Sequence, residues 1–127
     1  EVRRKIVEYQ LHKNVILGGF NDQMDIFWKF CDVNLFLSLN DGFGLPIVEG
    51  YMHGVPCVTF EDLDATQDLY YPEAMLKVKD RSIESVANAL RTSLDKNWNH
   101  EEIAEIGNMF SIDNMSEKYV NWYRTLI

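Results

Sequence analysis

Residues 33–60 read Val33-Asn34-Leu35-Phe36-Leu37-Ser38-Leu39-Asn40-Asp41-Gly42-Phe43-Gly44-Leu45-Pro46-Ile47-Val48-Glu49-Gly50-Tyr51-Met52-His53-Gly54-Val55-Pro56-Cys57-Val58-Thr59-Phe60. The run Val33 to Leu39 is apolar on both faces apart from Asn34 and Ser38, which predicts a central strand of a parallel sheet, covered on either side. Leu45 to His53 reads as a helix: Pro46 suits its first turn, Gly54 the position just past its end, and Pro56 blocks continuation. Val55 to Phe60 is then the next buried strand. A strand, a glycine turn, a helix and a second strand form the repeating unit of an α/β fold.

The same alternation extends in both directions. Upstream, Val2, Ile6 and Tyr9 recur at helical spacing within Glu1 to Leu11. Val15 to Leu17 is a short apolar run closed by Gly18 and Gly19, as in a buried strand ending in a turn. Asp22 is the expected cap of a helix carrying Met24, Ile26, Phe27, Trp28 and Phe30. Downstream, Glu61 to Glu73 reads as an acidic loop and Met75 to Lys79 as a fourth strand. Ser82 should cap a helix reaching about Leu94. Two further helices fit His100 to Met109 and Ile112 to Leu126, the last offering Tyr119, Trp122 and Tyr123 for docking. The expectation is an α/β, Rossmann-like parallel sheet with flanking helices and right-handed crossovers, its ligands beyond the carboxyl ends of the strands. Chemistry should therefore lie in Gly18 to Asp22 and in Ser38 to Glu49.

Composition narrows the partners. The 127 residues make one domain or part of one, and 46% hydrophobic with 25% charged residues is a globular balance. A net charge of −8 and no basic cluster longer than Arg3-Arg4-Lys5 make a nucleic-acid backbone a poor partner. No apolar run reaches the ~18 residues of a membrane span and no secretory leader is evident, so the reading is a cytoplasmic protein, with the inner membrane surface as a further location. Cys31 and Cys57 sit in apolar runs and read as reduced, buried side chains. His12, His53 and His100 lack metal-ligand spacing, and the expectation is no metal and no cofactor. Asn114-Met115-Ser116 fits a glycosylation acceptor by coincidence in such a compartment. The opening at Glu1, inside an amphipathic stretch, suggests a cut.

The glycine loop carries the chemical signal. Asp41 stands just before Gly42-Phe43-Gly44, and Glu49 follows eight residues after Asp41. The glycines permit a sharp turn and close approach of a ligand, and free N–H groups at the following helix start would suit an anion such as a diphosphate. Glu49, about one turn into the helix, can look back over the same pocket, where a carboxylate suits vicinal hydroxyls such as those of a ribose. Both carboxylates would also suit a helix start on electrostatic grounds alone.

The stretch SLNDGFGLPIVEGYMHGVPCV, residues 38–58, resembles the signature of retaining glycosyltransferases of the GT-B fold, especially family 4. That signature is a carboxylate, GFGLP, a Glu after seven intervening residues, an apolar helix and G-x-P-V. The resemblance extends to Val15–Gly19 and Phe27–Asp32, and more weakly to the terminal helices. It implies a partial C-terminal, nucleotide-sugar-binding domain over residues 1–127, with upstream strands and an N-terminal domain absent. It implies a donor that is a nucleoside diphosphate sugar and an acceptor hydroxyl on a glycan, lipid or protein, with the anomeric configuration kept. Asp41 would be the catalytic-pocket carboxylate facing the donor sugar. Gly42, Phe43, Gly44 and Leu45 would lie against the sugar and distal phosphate, Glu49 would bind the ribose, and Gly19 with Phe20 would approach the nucleotide.

Three departures accompany the resemblance. Asp41 replaces the usual Glu, Leu37 stands where Pro is common, and Asp64-Ala65-Thr66-Gln67-Asp68 replaces a glycine-rich segment. They leave open a second reading, a non-catalytic subunit that binds a partner enzyme or a glycan, and a third, a generic α/β binding domain. Between Lys29 and Lys77 there is no Lys or Arg, while Asp32, Asp41, Glu49, Glu61, Asp62, Asp64, Asp68 and Glu73 are negative. Helix-dipole stabilisation of ~0.3–1 kcal/mol per charge cannot hold a diphosphate there alone, so cations must come from elsewhere; the resemblance places an Arg and a Lys upstream. The strand at Val15–Leu17 would either pair directly with that at Val33–Leu37, swap into an oligomer, or await strands outside this sequence.

Overall fold

The computed structural model describes residues 1–126. Its elements in chain order are α1 (Val2–Glu8), α2 (Met24–Trp28), β1 (Asn34–Phe36), α3 (Leu45–Met52), β2 (Cys57–Phe60), α4 (Asp64–Leu69), β3 (Met75–Val78), α5 (Ile83–Asp95), α6 (His100–Asn108) and α7 (Ile112–Arg124). The three strands form a parallel sheet in the order β1-β2-β3. Asn34 lies opposite Cys57, and Cys57 opposite Met75. The expected α/β fold is present, with helices on both faces.

Alternation along β2 divides the core. Cys57 joins Ile47, Val48, Tyr51, Leu69, Met75, Trp98 and Ile103 on the side of α3, α4 and α6. Val58 and Phe60 turn to the other face with Val78, packed by Val86 and Ala89 of α5. All four β2 residues are buried, as a strand covered on both faces must be. Three buried polar groups are tied down: Tyr51 donates to Leu69 O at 3.1 Å, Thr66 to Phe60 O at 2.8 Å and Trp98 to Ser93 O at 2.8 Å; the Trp28 indole N–H and the Thr59 and Ser93 hydroxyls are buried without a partner among the described residues. Burial pushes the Cys57 thiol up to about 12 and the Tyr51 phenol well above its ordinary range, so both stay neutral core groups.

Five expectations fail, each for a physical reason. Val15–Leu17 is not a strand. The Val15 N–H closes a turn onto Leu11 O, no strand pairs with it among the described residues, and Ile16 is 92% exposed; a strand exists only through its ladder. Consequently β1 is an edge, shorter than the predicted run, with Leu35 and Leu37 exposed rather than covered. Asp22 does not cap α2, whose N-cap is Gln23; the Asx turn is made by Asn21, which accepts from the Gln23 N–H at 2.7 Å. The acidic segment after β2 contains α4, which buries Ala65, Thr66 and Leu69 and turns Asp64 and Asp68 outward. Cys31, just beyond the five-residue α2, is exposed, and only Cys57 is buried.

The later helices keep their predicted places. Ser82 caps α5 through its side chain. Asp80 reinforces the cap, accepting from Ser82 N at 2.9 Å and Ser85 Oγ at 2.6 Å. These bonds, led by Ser82, hold the Asp80 carboxyl below its ordinary range. A depressed folded-state pKa contributes stability above the unfolded value and loses it as pH falls through the folded one. In urea denaturation the stability advantage of wild type over Asp80→Ala should therefore be complete at neutral pH and shrink progressively as pH falls below about 4 through the lower folded-state value. A difference that persists unchanged into that acid range would show that the carboxylate charge plays no part.

Candidate functional site

The loop from Leu37 to Gly44 leaves the carboxyl end of β1 and enters α3, the position at which α/β sheets bind ligands. Gly44 is the N-cap residue of α3 with φ +83°, and Pro46 lies in the first turn. A side chain at Gly44 would be strained by that left-handed backbone, and a Cβ would come within 3.0 Å of both Ala65 Cβ and Ile47 Cδ1. The turn thus sits directly against α4, the element that sequence reading took for a loop. Its signal was the Ala65, Thr66, Leu69 spacing, hidden by the acidic residues around it.

Asp41 is half-buried, and Gly42 and Phe43 are exposed. The Asp41 Oδ1 accepts from the Phe43 N–H at 3.1 Å and from the Gly44 N–H. Phe43 rests edge-on against Phe110 with ring centroids 6.3 Å apart. The helix start is consequently less open than expected. Ile47 and Val48 donate to Gly44 O and Pro46 has no N–H, so among the described residues Leu45 holds the free amide of the first turn. The chain's own carboxylate occupies the two loop amides expected to meet an anion.

Leu45 and Glu49 are four residues apart on the exposed side of α3, opposite buried Ile47, Val48 and Tyr51. Helical Cα–Cβ bonds tilt toward the N-terminus, so the Glu49 side chain leans toward the Gly42–Gly44 loop. Among the described residues its carboxylate has no hydrogen bond or ion pair, leaving it free for a ligand hydroxyl. Asp41, Gly42, Phe43, Leu45 and Glu49 thus lie along the loop and the solvent-facing side of α3, while Gly44 is buried. Gly19 (φ +68°) and Phe20 lie in the separate turn before α2. Gly18, Gly19, Asn21, Met24 and Phe27 line a shallow cavity of about 150 Å³ there. Phe20 is 98% exposed, and among the described residues no hydrogen bond ties this turn to the Asp41 loop.

The electrostatics match the charge count. Lys77 lies 3.7 Å from Glu61 and its ammonium stacks on Tyr70. Arg81 bonds Asp62 at 2.9 Å and covers the Phe60 ring. Of the cations that follow the acidic stretch, Lys77 and Arg81 are thus engaged by its carboxylates, and Lys79 is exposed. Among the described residues no group of three or more His, Cys, Asp or Glu side chains is placed to hold a metal. No described helix is long and apolar enough to cross a membrane.

Residues 1–96 match the family described as glycosyl transferases group 1. Two curated Escherichia coli proteins, each described as O-antigen biosynthesis glycosyltransferase WclY, are 26% identical to the chain over 126 residues. Each alignment covers 92% of this chain and 33% of the relative. The chain therefore spans about a third of the length of these relatives.

Proposed function

The chain belongs to the group 1 glycosyl transferases, and from that premise we propose that it is the donor-binding part of a retaining, GT-B, family 4-like enzyme. That enzyme moves a sugar from a nucleoside diphosphate sugar to an acceptor hydroxyl on a glycan, lipid or protein. The observation that carries this reading is the loop from β1 to α3 at the carboxyl end of a parallel sheet, where Asp41 bonds the glycine turn and the exposed Glu49, one turn into the helix, has no hydrogen bond or ion pair among the described residues. Glu49 accepts hydrogen bonds from the ribose hydroxyls. The loop of Gly42 to Leu45 lies against the sugar and the distal phosphate, with the Leu45 amide open to it, and the second oxygen of Asp41 meets a sugar hydroxyl. Gly19 and Phe20 approach the nucleotide from the neighbouring turn.

Charge assigns a role to a second domain. The leaving diphosphate needs cations, and Lys77 and Arg81 are engaged by Glu61 and Asp62. A further domain of the same polypeptide therefore supplies basic groups and the acceptor site across the cleft, and transfer proceeds by preorganised electrostatic stabilisation of the leaving group. The free thiols of Cys31 and Cys57 suit a cytoplasmic setting.

The reading is tested at Glu49. In a two-domain protein carrying this chain, Glu49→Ala should weaken nucleoside diphosphate binding by ~1.5–3 kcal/mol, the range for a hydrogen bond to a charged group. Isothermal titration against a panel of nucleoside diphosphates and their sugars measures this. Affinity unchanged for every nucleotide that binds would remove Glu49 from the site. Asp41, shorter than the usual Glu and bonded to its own loop, favours one rival, a non-catalytic subunit; nucleotide binding without sugar transfer to any acceptor would support that rival.

A further inference from the structure

We infer that Asp41 is a positioning residue as well as a sugar contact, its two oxygens dividing the tasks: Oδ1 holds the glycine loop in its binding shape, and Oδ2 faces the donor. The inference rests on the donor-binding reading for the second task and on geometry alone for the first. Gly44 caps α3 without a side chain, so the usual side-chain cap is missing. Asp41, three residues upstream, instead takes the amides of Phe43 and Gly44 and so ties down the loop that leads into the helix.

Little else restrains this segment. Gly42 has open space around it, and the Leu39–Phe43 stretch is otherwise held by the Ser38 hydroxyl donating to Asn40 O at 3.0 Å and by the Phe43 ring on Phe110. Yet Gly44 must stay left-handed, because the turn fits against Ala65, Ile47 and Leu69 only without a Cβ. Fixing that turn fixes where the backbone of Gly42 to Leu45 stands relative to Glu49.

The short side chain is what makes the clamp. An Asp or Asn oxygen closes a compact ring onto amides two and three residues ahead, whereas Glu, one methylene longer, is a poor fit for that ring. The departure from the Glu of the resembled signature therefore exchanges reach toward the sugar for control of the loop.

The test compares Asp41→Asn, Asp41→Ala and Asp41→Glu by amide hydrogen exchange on the chain and by donor kinetics in the two-domain protein. Asn keeps the accepting oxygen, so protection at Phe43 and Gly44 and the nucleotide-sugar KM should stay at wild-type values while kcat falls. Ala and Glu should speed exchange at both amides about tenfold or more, the loss of a hydrogen bond, and raise KM. Wild-type protection in the Ala variant, or wild-type exchange and KM in the Glu variant, would overturn the clamp. Should no form, wild type included, bind a nucleotide sugar, the donor-binding reading falls, while the exchange rates still decide whether Asp41 sets the loop.

Discussion

Asp41→Ala lowers kcat/KM for the nucleotide sugar by about 10- to 150-fold, the kinetic equivalent of losing a charged hydrogen bond at the reacting end of the donor. Its affinity for the free nucleoside diphosphate falls much less, because the ribose is held by Glu49, which the substitution leaves in place on α3, and only the distal phosphate meets the loosened loop. Steady-state assays with the sugar donor, paired with calorimetry on the free nucleotide, separate the two quantities. A variant with full activity would remove Asp41 from the reaction. Equal losses in both measurements would mean that the whole donor cradle, rather than its sugar end, depends on this residue.

The largest effect on stability is expected at Gly107. It lies where α6 crosses α3, and a Cβ there would fall onto the backbone nitrogen of Met52 and 2.6 Å from Met52 Cα. Backbone on both sides leaves no flexible side chain to yield. Gly107→Ala should thus reach the upper end of overpacking costs, about 3 kcal/mol, or a fall in Tm of about 10 °C for a domain of this size. The same movement of α3 would displace Glu49, so nucleotide affinity should fall with stability. Thermal and urea unfolding that place the loss below about 1 kcal/mol would show that the two helices separate easily, contrary to the close contact observed.

How much of this was legible in the sequence depended on whether the deciding partner was local. Helix α3 announced itself through Pro46, Gly54 and Pro56, all within one turn of its ends, and α5 through Ser82, whose cap is made to Ser85 nearby. The strands β2 and β3 were readable because each is apolar and flanked by helices that cover it. Val15–Leu17 has the same apolar character, but a strand needs a neighbour in space, and residue type alone cannot supply one. The failure of Cys31 to be buried has a similar origin, since α2 buries Trp28 and leaves its other residues exposed. At the site, glycine spacing located the loop and the exposed face of Glu49. The bonding of Asp41 to its own loop was not foreseen, because an Asp before Gly-x-Gly is equally consistent with a carboxylate aimed outward at a ligand.

The most direct test of the donor-binding claim is a titration of the two-domain protein, isotopically labelled in this chain, with a panel of nucleoside diphosphate sugars, followed by amide chemical shifts. The account predicts that one donor class moves the signals of Gly42, Phe43, Gly44, Leu45 and Glu49 together and leaves α7 unmoved. Donor-dependent shifts confined to α7 or α5, with the glycine loop and Glu49 silent at saturation, would contradict it.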